Sequence, residues 1–195
     1  MKSVFLTVVL SSILIPATLF AQMNGNSFYI GAGGSWSITD STDPDDSPGA
    51  NLKLGYHAHH MLDIEFNFDW IDRFEDSESL NILDTELEYQ TEMEIMTFMF
   101  DLKGYFPIPS DIVRLSVVAG GGLMYADYET RTSVGMIDVT VDDDELDFCG
   151  KLGLALDIYA APSFSIGAEG NYTMGVEDLD DVNYWNFSLG VAYHF

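Results

Sequence analysis

Apolar and polar positions alternate with a period of two along most of this chain, the pattern of β-strands whose two faces meet different surroundings. Ser27–Trp36, Leu62–Trp70, Met96–Phe106, Arg114–Tyr125, Leu146–Tyr159 and Trp185–Phe195 carry it most legibly, and Ala50–Tyr56 and Phe164–Tyr172 complete a set of eight. The connections alternate in length. Ser37–Gly49, Ile71–Ile95 and Ala126–Glu145 are long and Thr173–Tyr184 intermediate, whereas His57–Met61, Pro107–Val113 and Ala160–Ser163 are short. Eight strands with short turns at one end and long loops at the other predict an up-and-down barrel.

Alternation alone does not say which face points outward, because a soluble barrel shows the same period with its apolar side inside. Volume decides it. One register holds Phe28, Ile30, Trp36, Leu52, Leu54, Ile64, Phe66, Phe68, Phe98, Phe100, Leu152, Leu154, Leu156, Phe187 and Leu189, too bulky for an eight-strand lumen that side chains only just fill. The opposite register holds Gly31, Gly33, Gly55, Gly120, Gly122, Gly153, Gly167 and Gly190 with Asn and Ser. Bulky residues therefore face lipid, and the predicted class is all-β: an eight-stranded antiparallel up-and-down transmembrane β-barrel. Strand direction then sorts the aromatics into two belts. Trp36, Trp70, Tyr125, Tyr172 and Trp185 fall at the long-loop end, and Phe28, Tyr56, Phe106, Phe164, Tyr193 and Phe195 at the short-turn end.

Met1–Ala21 reads differently, with a lysine at position 2, an apolar run from Val4 to Phe20 and a small residue before Gln22. This is the layout of a signal peptide cleaved after Ala21, leaving residues 22–195 as the barrel domain. A retained anchor would need a longer apolar run. No later stretch approaches the roughly 20 continuous apolar residues of a membrane helix, so strands must do any spanning. The single cysteine, Cys149, excludes an internal disulfide framework.

Lys2 is one of seven basic residues against 32 acids, so its loss with the leader leaves six and takes the formal charge from −25 to −26. Such acidity disfavours nucleic acid as a partner. A composition 47% hydrophobic and 13% aromatic is nonetheless too apolar for a disordered acidic tail. The charge must be segregated.

The last strand, Asn186-Phe187-Ser188-Leu189-Gly190-Val191-Ala192-Tyr193-His194-Phe195, ends on a phenylalanine with aromatics two apart. It is similar to the assembly signal of outer-membrane barrels, carried here by Tyr193 and Phe195. With Phe28-Tyr29-Ile30-Gly31-Ala32-Gly33-Gly34 and Val117-Val118-Ala119-Gly120-Gly121-Gly122-Leu123, the chain resembles the OmpA-like small-barrel superfamily, of the OmpX and Ail type. The resemblance implies a Gram-negative outer membrane, with its lipid and lipopolysaccharide and the barrel-assembly machinery as partners. It implies no catalytic residues and no cofactor. A chain that stops at its last strand is expected to lack the peptidoglycan-binding domain of full OmpA proteins.

Four of the six remaining bases, Lys53, Lys103, Arg114 and Lys151, fall on lumen-facing positions, as do Asp63, Glu65, Asp69, Asp101, Asp157 and Glu169. A charge inside a closed barrel costs several kcal/mol unless it is paired. Lys53, Glu65, Asp101, Lys103, Arg114, Lys151, Asp157 and Glu169 are therefore expected to form a structural plug, with the pairing unspecified. An ion-conducting path is the alternative, for which eight strands leave little room.

With Glu94 counted to its strand, the four longer connections carry 23 of the 32 acids, opposed only by Arg73 and Arg131. They read as a solvated, repulsive surface, with divalent-cation binding the sharper alternative; Asp142-Asp143-Asp144-Glu145 and Asp178-Leu179-Asp180-Asp181 have suitable oxygens but no EF-hand spacing. Two connections keep the strand period. Glu86, Glu88, Glu92 and Glu94 occupy the register that becomes lipid-facing at Met96, while Leu87, Tyr89, Met93 and Ile95 share the lumen register. Asp138, Thr140, Asp142 and Asp144 alternate in the same way with Val139 and Val141, and Tyr128 fits between Asp127 and Glu129. A change of polarity without a change of phase predicts a barrel wall continuing above the membrane.

A structural or surface-interaction barrel, binding an extracellular protein partner through this wall, follows most directly. A narrow pore or carrier for small solutes is the alternative. An outer-leaflet lipid-modifying enzyme fits less well, because His57, His59, His60 and His194 all fall at the opposite end. The His57-x-His59-His60 spacing is feasible for zinc or copper, but these read as exposed, unliganded turn residues. Deleting Phe195 should lower the yield of barrel in outer membranes while leaving refolding into detergent intact. Equal membrane yields for the deletion and the parent would remove the assembly role.

Overall fold

The computed structural model describes residues 28–39, 46–82, 85–110, 112–134 and 137–195. Eight strands close into one barrel: β1 (Phe28–Thr39), β2 (Ser47–His59), β3 (Leu62–Ile82), β4 (Thr85–Tyr105), β5 (Val113–Val134), β6 (Ile137–Ala161), β7 (Phe164–Gly175) and β8 (Asn183–His194). Sequential strands pair antiparallel, and β1 closes onto β8 from Tyr29↔His194 to Thr39↔Tyr184. The expected signal peptide, Met1–Ala21, lies outside the described residues, as do Asp40, Asp43 and Asp45 of the first long loop.

The alternation places the strand bodies where the sequence predicts them, and the outward register is the bulky one. Phe100, Leu189 and Phe148 are 66%, 65% and 63% exposed. A continuous apolar band of this kind is untenable in water and suits hydrocarbon. At its long-loop margin the indole N–H groups of Trp36 and Trp70 donate to the carboxylates of Asp46 and Glu94, each at 3.1 Å. The Tyr172 and Trp185 rings pack at a tilt with centroids 5.0 Å apart. At the other margin Phe28 packs on Tyr56 at 4.7 Å and Tyr193 on Phe195 at 5.1 Å. Aromatics with one polar edge settle at such interfaces.

The four middle strands run far past their neighbours. Pairing between β2 and β3 stops at Gly49↔Ile71 and between β6 and β7 at Cys149↔Gly175. Pairing between β3 and β4 continues to Ile82↔Thr85, and between β5 and β6 to Val134↔Ile137. Ile71–Ile95 and Ala126–Glu145 are thus the upper parts of strands of 21 to 25 residues rather than loops. They form a four-stranded wall standing above the barrel, as the unbroken period predicts.

Two details depart from the expected phase. The pairing shifts between Ile71 and Phe74, so that both turn inward and are buried; the extra residue of a bulge resets the register of β3. On β6, Val141 was expected to be covered by the wall but is 58% exposed, because β7 has already ended and no strand curls over that face.

The apolar core sits at the base of the wall, inside the barrel mouth. Ile71, Phe74, Ile95, Met99, Met124, Ala126, Cys149, Leu179 and Tyr184 form one buried cluster, with Met93, Tyr128 and Val182 against it. Leu179 comes from the acidic connection 173–184, which the sequence presented as surface. A single 3-10 turn, Glu177–Leu179, folds it back, with Glu177 at φ 59°, a left-handed conformation costing a non-glycine residue roughly 1–2 kcal/mol. Gly175 permits this return, since a Cβ there would stand 1.9 Å from the Leu179 carbonyl oxygen. Leu179→Ala should lower unfolding stability by about 2–5 kcal/mol, read as a shift of the denaturant midpoint in detergent. An unchanged midpoint would mean that the cap contributes nothing to the fold.

Candidate functional site

The lumen below the apolar cap is filled by charge. Lys53, on β2, and Glu169, on β7, form an ion pair. The Lys151 ammonium on β6 lies 2.5 Å from Asp101 on β4 and 3.7 Å from the same Glu169. Lys103 on β4 lies 2.8 Å from Asp157 on β6 and 3.4 Å from Glu65 on β3. Three lysines and four carboxylates thus lock five of the eight strands together across the interior. Strand alternation carries each residue inward, but only closure decides which meet. Asp69, in the same register, accepts from Asn67 at 2.9 Å and Thr97 at 3.4 Å.

Arg114 departs from the expected network. Its guanidinium lies 5.5 and 4.8 Å from the ring centres of Tyr105 and Tyr159, and it makes no ion pair among the described residues. It stands opposite Asp157 in the β5–β6 register, where the lumen opens toward the short turns. Tyrosines are the lumen residues that the sequence reading missed. The Tyr29 hydroxyl donates to Glu65 and, at 3.3 Å, to Asp63, and the Tyr105 hydroxyl donates to Asp63 at 2.6 Å. Both share the register of the inward charges, which was the available signal. Their bulk is accommodated because a neighbour has none: a Cβ on Gly55 would stand 2.0 Å from the Tyr29 ring.

His57, read as an exposed turn residue, points inward instead and meets His194 at the end of β8. His57 Nδ1 is 2.8 Å from the Asp63 carboxylate, His57 Nε2 is 3.3 Å from His194 Nδ1, and His194 Nε2 is 2.9 Å from Ser165 Oγ. The two rings are nearly coplanar, 5° apart, with centres 5.5 Å apart. This chain seals the lumen floor, and His194 is buried. His59 and His60 remain exposed at the turn. Between plug and floor the lumen retains a cavity of about 50 Å3, lined by Tyr29, Lys53, Glu65 and Glu169 among others, room for about a water or two.

On the wall, the two arginines that oppose the acids converge. Arg73 pairs with Glu92, and Arg131 lies 3.8 Å from Glu92 and 2.7 Å from Glu129. Glu92 is buried beneath them although its register faces outward. Its hydrogen bond holds the Arg73 guanidinium above the ordinary range. The register shift before Phe74 brings Arg73 to this position, and a sequence shows no such shift. Among the described residues no group of three or more His, Cys, Asp or Glu is disposed to hold a metal ion.

A family model described as outer membrane protein beta-barrel domain matches residues 7–195. Among solved structures, the chain is similar to the N-terminal β-barrel domain of Pseudomonas aeruginosa OprF, at 16% identity over 87% of this chain and 98% of that one, with a TM-score of 0.56. It is also similar to OprG of the same organism, at 13% identity over 87% and 95% with a TM-score of 0.53. Neisserial surface protein A is 12% identical over 86% and 97%, with a TM-score of 0.52. These are likenesses of fold. A comparison with curated protein sequences gives no match.

The plug geometry predicts a specific mutational pattern. Lys151→Met leaves Asp101 and Glu169 facing each other without their shared cation, and should destabilise the barrel by about 3–5 kcal/mol. Adding Asp101→Asn should recover part of that loss, measured by denaturant midpoints in the same detergent. No loss in the single variant would mean a wet, screened lumen.

Proposed function

Starting from a chain that belongs to the outer membrane protein β-barrel domain family, we propose that this barrel serves surface recognition in a Gram-negative outer membrane, with the β3–β6 wall as its docking element. The short turns then face the periplasm and the wall faces outward. The observation that carries this reading is the pair of free sheet edges. Beyond Ile71 no described strand pairs with β3 on the side away from β4, and above Cys149 none pairs with β6 on the side away from β5. An extended segment of a partner can add to such an edge through main-chain hydrogen bonds. The acids along the wall favour a basic partner and discourage the edges from pairing with each other.

The alternatives find less support. A pore needs continuous free volume, and the lumen holds a charge plug, an apolar cap and a cavity of about 50 Å3 between charged side chains. Outer-leaflet catalysis usually pairs a histidine with a serine or carboxylate near that leaflet, and all four histidines stand at the other end.

Shortening both hairpins, by joining Asp76 to Thr91 and Thr130 to Val141 through two-residue turns, removes the wall above two paired positions. The shortened barrel should still insert, and should still change its gel mobility on boiling. It should lose capture of basic extracellular proteins in pull-downs run beside the parent barrel. Equal capture by both barrels would sink the docking reading without touching the fold.

A further inference from the structure

The mouth at the short-turn end opens on a vestibule of about 760 Å3 lined by His57, His59, His60, Arg114, Tyr159 and His194, with Ile112 and the 160–162 turn. In a chain with 32 acids, no carboxylate is among the described residues lining it. All four histidines of the protein gather here with one of its few arginines. Arg114 is held by the rings of Tyr105 and Tyr159, at 5.5 and 4.8 Å. It makes no ion pair among the described residues: Asp157, its partner in the β5–β6 register, is held by Lys103 instead, and the guanidinium lines the opening. Elsewhere in the described structure the bases are neutralised: Lys53, Lys103 and Lys151 in the plug, Arg73 and Arg131 on the wall.

We propose that this vestibule binds a phosphate group, with Arg114 as the anchor and the rim histidines as further N–H donors. A planar guanidinium matches two phosphate oxygens at once, and an imidazole ring offers an N–H donor beside it. The groups facing the histidines from the neighbouring strands leave the mouth free of competing acids. Asp63 on β3 takes hydrogen bonds from His57 and Tyr105. Asp157 on β6 is held by Lys103 on β4. Tyr29 on β1, Tyr159 on β6 and Ser165 on β7 are neutral. The nearby acids are therefore already engaged behind the histidines. His59 and His60, exposed at the rim with ring centres 3.9 Å apart, are placed to turn toward a ligand. The site stands at the opposite end from the wall and does not depend on the docking reading.

The phosphate could belong to a soluble ester or to a lipid headgroup at the rim, and two arms of one experiment separate them. In the first, inorganic pyrophosphate is titrated calorimetrically into the refolded barrel in uncharged detergent. Saturable binding is expected. Arg114→Met should weaken it about tenfold or more, and Arg114→Lys should restore part of it. A His59→Gln, His60→Gln double variant, changed only at exposed positions, should weaken it severalfold, while Arg131→Met at the far end should leave binding unchanged. In the second arm, thermal stability is compared in phosphatidylcholine vesicles with and without phosphatidate. An Arg114-dependent gain on adding phosphatidate, without pyrophosphate binding, would assign the phosphate to a headgroup. Loss of gel-mobility shift identifies any variant that fails to fold, in which case the double variant decides. No Arg114- or histidine-dependent response in either arm, or equal weakening by Arg131→Met, overturns the proposal.

Discussion

Hydrocarbon offers no hydrogen bonds, and the architecture follows from that constraint. Every backbone group in the spanning region must be paired by the chain itself, which for strands means closure of β1 onto β8. Closure at eight strands then fixes a narrow lumen. Side chains entering it meet neither bulk water nor lipid, so each charge must find an opposite charge, a hydrogen-bond partner or an aromatic face across the interior. The Lys53–Glu169, Lys151–Asp101 and Lys103–Asp157 pairs are the consequence. Buried pairs of this kind add little net stability over an apolar filling, but a mispaired register would leave charges unmatched, so they penalise wrong closures.

Above the membrane the same constraint lapses. Water can satisfy an open sheet edge, so β3 and β6 may end their pairing with β2 and β7 and continue as a wall. The wall stays attached through a core that straddles the boundary, where Ile71, Phe74, Ile95 and Leu179 pack beneath it. On it Arg73 and Arg131 relieve the repulsion among the acids at Glu92 and Glu129. At the other end the floor is built from imidazoles and tyrosines. The two ends of the molecule are therefore chemically different, acidic above and lined below by histidines and Arg114.

Strand bodies, outward register, aromatic belts and the continuing wall were all legible in the sequence because each depends on period-two alternation and on side-chain bulk. Both are properties of residues taken in order. The inward placement of Lys53, Glu65, Asp101, Lys103, Lys151, Asp157 and Glu169 was legible for the same reason. What the order of residues did not show was the shift at Ile71/Phe74, the return of Leu179 into the mouth, the release of Arg114 to two tyrosine rings, and the inward turn of His57 to meet His194.

Each of those depends on distances between strands remote in sequence. Glu169 meets Lys53 across 116 residues, and His57 meets His194 across 137; the stagger of the closed barrel, not local preference, sets such meetings. The sequence by itself determined that this chain is an eight-stranded barrel with bulky residues toward lipid and acids at one end, because lipid and water sort side chains one at a time. Only the tertiary structure decided which charges pair, which arginine is left without a partner and where the mouths are closed, because pairing is a property of two positions and their separation in space.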